Sequence, residues 1–291
     1  MDAFEYVAPR TLDEAYAAIA NGKSTALLAG GTDIIVQLRE NRRHADQVLD
    51  VKHIPELMKL ELTAEGGLNI GAAVPCAEIY ENAAISAKFP GIIDSASLIG
   101  GTQIQSRASL GGNVCNASPA ADSIPSLIVH GAVRVVGSKG GTRELPIEQF
   151  FAGPGRNTLQ PGELLVSLKI PPQPPRSGAF FNRFIPRNEM DIAVVNAAAR
   201  IELDASGQSI TGARVSIGAV APTPLLVESA AAALVGQPPT EETFAAAGDA
   251  AAAAATPIAD MRGSIPQRNH LAKVLTVRAL RGALKRAQEN S

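Results

Sequence analysis

Cysteine is scarce in this chain of 291 residues, which contains only Cys76 and Cys115. Two cysteines exclude a disulfide scaffold, and they exclude any four-cysteine zinc or iron–sulfur centre built by this chain alone. The four histidines are scattered, without the HxH or HExxH spacing that is typical of metal sites. We therefore expect no metal site in the chain.

Aromatic residues and net charge are also low. Tryptophan is absent, aromatic residues make up 4% of the chain, and the formal net charge is −2. A nucleic-acid-binding protein usually carries a basic field, and single-strand binders add aromatic platforms on which bases stack. Because the chain has neither, we expect no nucleic-acid partner.

Long hydrophobic runs are missing as well. No window approaches 18 uncharged apolar residues, so the sequence predicts no membrane span. The first residues, MDAFEY, are acidic and lack the apolar core of a signal peptide. We therefore expect a cytoplasmic protein.

Two glycine pairs are the most informative features that are present. The first lies in LLAGGTD at residues 27–33 and the second in SLGGN at residues 109–113. Adjacent glycines permit positive φ angles and let backbone N–H groups approach a ligand closely. Because both pairs are followed by a small polar residue, they suggest a pyrophosphate held from two sides.

Each glycine pair has a simpler interpretation. The first lacks the GxGxxG spacing of dinucleotide-binding folds, and the chain has no GxxxxGK[ST] run. It can be a tight turn between a strand and a helix. The second belongs to a segment rich in glycine, hydroxyl and amide groups, residues 99–122, which can be a solvated loop. From these residues alone, both alternatives stay open.

The hydrophobic pattern up to residue 170 predicts alternating strands and helices. Thr11 and Glu14 form a capping box before the first helix, Thr32 or Asp33 can cap the second, and Asp122 can cap a helix that runs to residue 130. The segment that ends at Pro119 is expected to be an irregular loop. The remaining expected elements are strands at 25–29, 47–51, 68–74 and 164–170, helices at 77–84 and 92–99, and a hairpin of 133–136 with 142–145.

Four prolines within residues 171–175 mark the clearest linker in the chain. Beyond it the sequence predicts strands first and helices afterwards, an order typical of an α+β domain. The expected strands are 180–184, 192–203 and 210–220, and the expected helices are 225–234, 240–255 and a long one after His270.

Several motifs together resemble a known family. The segments LLAGGTDII, IGGTQIQSRASLGGNVCNASPAADSIPSL, FFAGPGRNTLQPGELLVSLKIP and IADMRGSIPQRNHLAKVLTVRAL are similar to those of the FAD-binding medium subunit of molybdenum hydroxylases, the xanthine dehydrogenase and carbon monoxide dehydrogenase group. The resemblance implies an α+β fold: a two-lobed FAD-binding domain of the vanillyl-alcohol-oxidase type, with lobes at 1–56 and 57–176. A C-terminal α+β domain, 177–291, is expected to contain a three-stranded antiparallel sheet and helices.

The resemblance also implies which residues bind FAD. Residues 28–33 are expected to wrap the pyrophosphate and ribityl region, and residues 109–113 to meet the phosphates from the other lobe. The full set of expected cofactor-binding residues is Leu27, Leu28, Ala29, Gly30, Gly31, Thr32, Asp33, Ile99, Gly101, Thr102, Ala108, Ser109, Leu110, Gly111, Gly112, Asn113, Asn116, Asp122, Leu165 and Arg183.

Four of these residues receive particular roles from the resemblance. Ile99 is expected beside the isoalloxazine ring, and Leu165 at a packing position for the flavin or the adenine. Asp122 is expected to bond the ribityl hydroxyls or nearby backbone. Arg183 stands where the family usually has a lysine near the pyrimidine edge of the flavin, and this change keeps the charge but not the geometry.

Finally, the resemblance implies partners. A large subunit would bind molybdopterin, a small subunit would hold [2Fe–2S] clusters, and the assembly would be a dimer of heterotrimers. This chain would hold FAD alone and pass electrons to an external acceptor. The segments 99–105 and 180–185 carry few charges and are candidate docking faces, since interface centres are depleted in charge, but they can equally pack within the chain. Two alternatives are a stand-alone FAD oxidase that shares the flavin fold and a non-catalytic ligand-binding module.

Overall fold

A computed structural model describes residues 2–290, and its main sheets follow one another along the chain. The first sheet has three parallel strands in the order β1-β3-β2 and, with two helices, forms what we call the first lobe. Its elements are β1 (Glu5–Val7), α1 (Leu12–Ile19), β2 (Thr25–Leu28), α2 (Ile34–Arg39) and β3 (Gln47–Asp50).

The expected capping box at α1 is half formed. The hydroxyl of Thr11 accepts a hydrogen bond from the backbone N–H of Glu14 at 3.2 Å. The Glu14 carboxylate, however, accepts from the backbone N–H of Arg10 at 2.7 Å instead of returning to Thr11. The helix therefore begins where the sequence predicts. The Glu14 carboxylate fixes Arg10, the residue before the N-cap.

The second lobe contains a five-stranded antiparallel sheet in the order β4-β5-β10-β6-β7. Its strands are β4 (Leu60–Leu62), β5 (Leu68–Gly71), β6 (Val133–Ser138), β7 (Gly141–Pro146) and β10 (Leu164–Ile170), beside a small pair of β8 (Phe151–Gly153) and β9 (Arg156–Asn157). Its helices are α3 (Cys76–Glu81), α4 (Ala83–Lys88), α5 (Pro90–Ala96), α6 (Thr102–Gln105), α7 (Leu110–Asn116) and α8 (Ser123–Val129).

The glycine-rich segment that was expected to be an irregular loop instead contains α6 and α7. The hydroxyl of Ser109 caps α7 by accepting from the N–H of Gly112 at 3.0 Å. Gly111 packs directly on the backbone of Ala72, since a Cβ there would lie 2.3 Å from the Ala72 carbonyl oxygen. Glycine lowers helix propensity, but here it permits a close contact that stabilises the helix.

The side chain of Asp122 was expected to cap the helix that runs to residue 130, and this prediction is wrong. Asp122 occupies the N-cap position of α8, but no hydrogen bond joins its carboxylate to the helix backbone. The carboxylate is paired with Arg183 and accepts from the amide of Asn196 at 3.3 Å. The buried ion pair with Arg183 thus replaces the hydrogen bond that Asp122 was expected to make to the start of α8.

The C-terminal domain has an antiparallel sheet in the order β11-β12-β13-β14, covered by helices. Its elements are β11 (Ser177–Phe184), β12 (Val195–Leu203), β13 (Ile210–Gly218), β14 (Leu225–Leu226), α9 (Glu228–Ala232), α10 (Glu241–Ala254) and α11 (Ile265–Glu289). Three strands were expected, and the fourth is a two-residue edge strand in a segment expected to be helical. Pro222 and Pro224 precede it and favour extended backbone.

The hydrophobic core fixes the first lobe on the second. One cluster of buried residues combines Leu49 and Ile54 of the N-terminal part with Val135 and Leu164 of the five-stranded sheet. A second, smaller cluster, centred on Leu38, belongs to the first lobe itself. Because Leu49 and Ile54 share one buried cluster with the five-stranded sheet, the two lobes are packed directly on each other. Within residues 2–290, no helix is both long and apolar enough to cross a membrane.

Candidate cofactor-binding site

A cleft of about 640 Å³ lies between the two lobes. The first lobe contributes the turn between β2 and α2, and the second contributes α7 and the segment 155–165. Ligand sites in proteins are usually clefts of roughly 300–1,000 Å³, so this volume suits a large organic ligand. Both glycine pairs of the sequence line this cleft, one from each lobe.

The first glycine turn is shaped by its own backbone and by a lysine beneath it. Gly31 has a φ of +83°, and its carbonyl accepts from the N–H of Ile35 at 3.1 Å. The ammonium group of Lys52 donates to the carbonyl of Ala29 at 3.0 Å and to the Asp50 carboxylate at 2.7 Å. Lys52 therefore fixes the start of the turn from the side of the sheet.

The first glycine turn also contacts residues that flank the second glycine turn, on the other lobe. A Cβ on Gly30 would lie 1.8 Å from the carbonyl oxygen of Arg107, so only glycine fits at this position. The side chain of Arg107 donates back to the Gly30 carbonyl at 3.5 Å. The amide of Asn116 donates to the Asp33 carboxylate at 3.4 Å. The two lobes are therefore in direct contact along one side of the cleft.

Helices α2 and α7 both begin at the cleft. In a helix the first backbone N–H groups have no intrahelical acceptor, and they carry a partial positive charge. The Ser109 hydroxyl accepts from one of these groups in α7, the N–H of Gly112, and leaves the end of the helix open to the cleft. Gly112 is exposed. Helix starts that line a cleft in this way can bind phosphate groups.

Other parts of the cleft are apolar. Ile99, Leu57, Leu159 and Leu165 line it, and Ile99 is only 9% exposed in the structure. Such a surface can pack against a flat aromatic ring system. The cleft thus combines anion-binding backbone with apolar side chains.

Charged side chains are few around the cleft. Among the lining residues that the structure describes, Arg43 is the only basic one. Glu163 is held by two hydrogen bonds from Arg143, at 2.7 and 2.8 Å, which lower the pKa of its carboxyl group. Burial raises the pKa of the cleft-lining Cys115 thiol to about 12, which favours its neutral form.

Most residues expected from the sequence to bind a cofactor line this cleft. They are Leu27, Ala29, Gly30, Gly31, Thr32, Asp33, Ile99, Ala108, Ser109, Gly111, Gly112, Asn113, Asn116 and Leu165. The others lie outside the lining: Leu28, Gly101, Thr102, Leu110, Asp122 and Arg183. Leu110 is a core residue, and a Cβ on Gly101 would meet Met190 and Glu189 instead of the cleft.

Asp122 and Arg183 form an ion pair with each other. Their side chains are 9% and 7% exposed, so the pair is buried between α8 and β11. Burial raises the pKa of the Asp122 carboxyl to about 6, although Arg183 and Asn196 act in the opposite direction. In this structure the Asp122 carboxylate accepts from both Arg183 and Asn196.

Sequence reasoning missed part of the cleft wall. Residues 155 and 157, the continuous segment 159–164, Gln37 and Arg43 all line the cleft. Gly155 and Gly162 have positive φ angles, and Pro161 precedes the latter. A Pro-Gly pair just before a buried strand was the available signal for a turn that approaches a ligand.

One of the two expected docking faces is mostly internal. In the segment 180–185, Phe181 is 2% exposed, and Phe180 packs against Gly282 and beneath Arg286 of α11. Phe184 alone among these phenylalanines is notably exposed, at 37%. The aromatic side chains here mainly join the sheet to the long helix.

The residues present fit FAD, which joins an aromatic ring system to a nucleotide through a doubly charged pyrophosphate. The starts of α2 and α7 both line the cleft and suit the pyrophosphate, and Gly31 in the first turn has a positive φ that glycine permits. The fold and the cleft together define a two-lobed FAD-binding flavoprotein with an additional C-terminal α+β domain.

Two family models match the chain. Residues 2–173 match the FAD binding domain in molybdopterin dehydrogenase, and residues 181–283 match the CO dehydrogenase flavoprotein C-terminal domain. The chain belongs to the family of FAD-binding medium subunits of molybdenum hydroxylases, which makes it a subunit of an oxidoreductase.

Individual relatives match along nearly the whole chain. The xanthine dehydrogenase FAD-binding subunit of Escherichia coli O157:H7 is 30% identical over 287 residues, 98% of each chain. The carbon monoxide dehydrogenase medium chain of Hydrogenophaga pseudoflava is 29% identical, over 97% of this chain and 98% of the relative. A solved structure of carbon monoxide dehydrogenase from Hydrogenophaga pseudoflava superposes with a TM-score of 0.93, covering 98% of each chain at 29% identity.

Proposed function

We propose that this chain is the electron-transfer subunit of a heterotrimeric molybdenum hydroxylase. It accepts electrons from [2Fe–2S] clusters of a partner subunit and delivers them through FAD to an external acceptor. The observation that carries this proposal is the cleft between two glycine turns in a chain of this family. When bound, FAD supplies the ability to take up electrons one at a time and release them in pairs.

The chain's own residues bind and orient the cofactor. Gly31 and Thr32 from the first lobe and the start of α7 from the second lobe line the cleft, and they would lie beside the pyrophosphate. The apolar wall around Ile99 packs on the ring system and excludes water from it. Asp122 and Arg183 act from behind the cleft, through α8 and β11, by holding the second lobe on the C-terminal domain.

The electrons must come from another protein. The chain has two cysteines, and each [2Fe–2S] cluster needs four ligands, usually cysteines. Cys76 is fully buried, and burial raises the pKa of its thiol to about 12, which opposes the thiolate form that metals bind. A small [2Fe–2S] subunit and a large molybdopterin-binding subunit complete the enzyme, and two such heterotrimers form a dimer.

The proposed domain division follows the sheets. Residues 1–56 and 57–176 form the two lobes that hold FAD, and residues 177–291 form the C-terminal domain. The alternative of a stand-alone oxidase is disfavoured because the C-terminal part matches the CO dehydrogenase flavoprotein domain. A non-catalytic binding module is not compatible with membership of an oxidoreductase family.

The test is to purify the full chain, load it with FAD, and measure substrate oxidation with and without the two partner subunits. We expect the loaded chain alone to show flavin absorption and no oxidation of a hydroxylase substrate. Addition of both partners should restore turnover and flavin reduction. Oxidation by the chain alone, at a rate comparable to that of the mixture, would overturn the electron-transfer role.

A further inference from the structure

A buried serine stands behind one of the cleft-lining residues. Asn113 lies on α7 and lines the cleft, and Ser123 is the first residue of α8. The Ser123 hydroxyl donates to the side-chain oxygen Oδ1 of Asn113 at 2.6 Å. Ser123 itself is 1% exposed, so this bond is made away from solvent.

The bond determines which end of the Asn113 amide is free. A side-chain amide has one acceptor oxygen and one NH₂ group with two donors. Because the Ser123 hydroxyl engages the oxygen, the amide is held with its NH₂ group available. A half-buried asparagine in the cleft wall then presents donors to a ligand that carries acceptor atoms.

Ser123 is itself held rigidly. Every residue of α8 is buried, and the preceding residue, Asp122, is fixed by its ion pair with Arg183 and by the amide of Asn196. Ser123 is the first residue within α8 and not its N-cap, and its hydroxyl bonds Asn113 instead of the helix backbone. A donor on a rigid element can fix the rotamer of a neighbouring side chain.

We propose that Ser123 is a positioning residue for the flavin cofactor, acting through Asn113. Its hydroxyl holds the Asn113 amide oxygen so that the NH₂ group faces an acceptor atom of bound FAD. This inference rests on the proposed placement of FAD in the cleft. Ser123 does not contact the cofactor in this scheme, and its effect disappears when Asn113 lacks an amide.

The same helix offers a matched control. Ser126 is 0% exposed, and its hydroxyl has no hydrogen-bond partner among residues 2–290. Ser126→Ala therefore removes the same group from the same buried helix without breaking a hydrogen bond. Any general effect of losing a buried hydroxyl from α8 appears equally in this variant.

The experiment measures the FAD dissociation constant of the full-length apo chain by flavin fluorescence and absorption, together with the melting temperature of each apo variant. The variants are Ser123→Ala, Ser126→Ala, Asn113→Ala and the double variant S123A/N113A. We expect Ser123→Ala to weaken FAD binding about five- to twentyfold, as loss of one hydrogen bond predicts. Ser126→Ala should stay within about twofold of wild type.

The double variant separates positioning from other effects. If Ser123 acts through Asn113, S123A/N113A binds FAD as weakly as Asn113→Ala alone, because the two losses share one cause. Ser123→Thr keeps the hydroxyl and should restore most of the affinity, provided that its melting temperature matches that of wild type.

Two results would overturn the proposal in distinguishable ways. Equal dissociation constants for Ser123→Ala and Ser126→Ala, or additive losses in the double variant, would remove the positioning role and leave the FAD site intact. An Asn113→Ala chain that binds FAD like wild type would show that the cofactor does not use this wall, which contradicts the site assignment as well.

Discussion

The guanidinium of Arg286 donates two hydrogen bonds, of 2.5 and 2.8 Å, to the carboxylate of Asp94, a residue 192 positions away in the sequence. Asp94 belongs to α5 of the second lobe and Arg286 to α11 of the C-terminal domain. The same guanidinium donates to the carbonyl of Ala179 at 2.6 Å and covers the ring of Phe180. One side chain thus joins a lobe, a sheet and the long helix.

Arg286→Ala should therefore destabilise the attachment of the C-terminal domain. The two partners are about four-fifths buried, and breaking a pair of this kind leaves an unpaired carboxylate near the interface. We expect a loss of about 2–4 kcal/mol in the free energy of unfolding, measured by urea denaturation.

The matched control for this variant lies on the same helix. Arg281 pairs with Glu241, but both side chains are more than half exposed. Because exposed pairs contribute little, Arg281→Ala should change stability only slightly. If Arg281→Ala and Arg286→Ala lowered the free energy of unfolding by similar amounts, the contact of Arg286 with Asp94 would not be what stabilises the interface.

Gly112→Val should weaken FAD binding without unfolding the chain. A Cβ on Gly112 would meet only the Ser109 hydroxyl, at 3.0 Å, and otherwise point into open space beside the cleft. We expect the purified variant to melt within a few degrees of wild type and to lose FAD, with occupancy measured from the flavin absorption per protein. Retention of full occupancy would contradict the placement of the pyrophosphate at this turn.

Gly111→Val provides the contrast one residue earlier. Its Cβ would lie 2.3 Å from the backbone oxygen of Ala72, so the side chain cannot fit without moving α7. We expect this variant to lose stability as well as FAD. The pair of variants separates a glycine that is needed for packing from one that is needed for ligand approach.

His130 should make the protein less stable as the pH falls from about 6.5 to about 4. Burial lowers the pKa of its imidazole from 6.5 to about 4. Between these pH values the imidazole is protonated in the unfolded chain and neutral in the folded chain. Stability from this group is fully present above pH 6.5 and is lost as the pH falls toward the folded pKa. The loss is on the order of 3 kcal/mol.

His130→Asn isolates this effect. The Nδ1–H of His130 donates to the carbonyl of Ser126 at 2.8 Å, and an asparagine amide can make a similar bond without titrating. Asp122, whose carboxyl pKa is raised to about 6 by burial, acts with the opposite sign over much of the same range. The measurement is therefore the difference between wild-type and variant unfolding free energies at pH 4.5 and 7.5, which should shrink at low pH. A constant difference would contradict a neutral, buried His130.

Asp122→Asn should destabilise the chain by about 3–5 kcal/mol, because it leaves the Arg183 charge buried without its partner. Replacing both residues, as D122N/R183M, removes both charges and should recover much of that loss. Thermal or urea unfolding of the apo chain measures both effects. If Asp122→Asn lowers FAD affinity while the apo chain keeps its stability, Asp122 is a direct ligand and the ion pair is secondary.

The sequence predicted strands and helices well where the hydrophobic pattern of a segment fitted a single type of secondary structure. The strand expected at 164–170 is β10 with the same bounds, and the expected hairpin is β6 with β7. A run of apolar residues ended by prolines specifies such a strand locally. The long C-terminal helix was expected after His270, but it begins at Ile265, where Ser264 caps it by accepting from Gln267 at 3.3 Å.

Prediction failed where distant contacts decide the structure. Helix α7 contains two glycines, which disfavour a helix locally, and it forms because Gly111 can approach Ala72. Aspartate is a residue type that commonly caps helices, but the carboxylate of Asp122 pairs with Arg183, 61 residues away. The cleft wall at 159–164 shows the same limit, since only the folded arrangement brings this segment opposite the first glycine turn.

Strand β10 occupies the middle of the five-stranded sheet, although it is the last of these strands in the chain. Its neighbours β5 and β6 lack their shared partner until residue 170 has left the ribosome. Leu164, at the start of β10, also completes the buried cluster on which the first lobe rests. The cleft therefore cannot take its final shape before more than half of the polypeptide has been made.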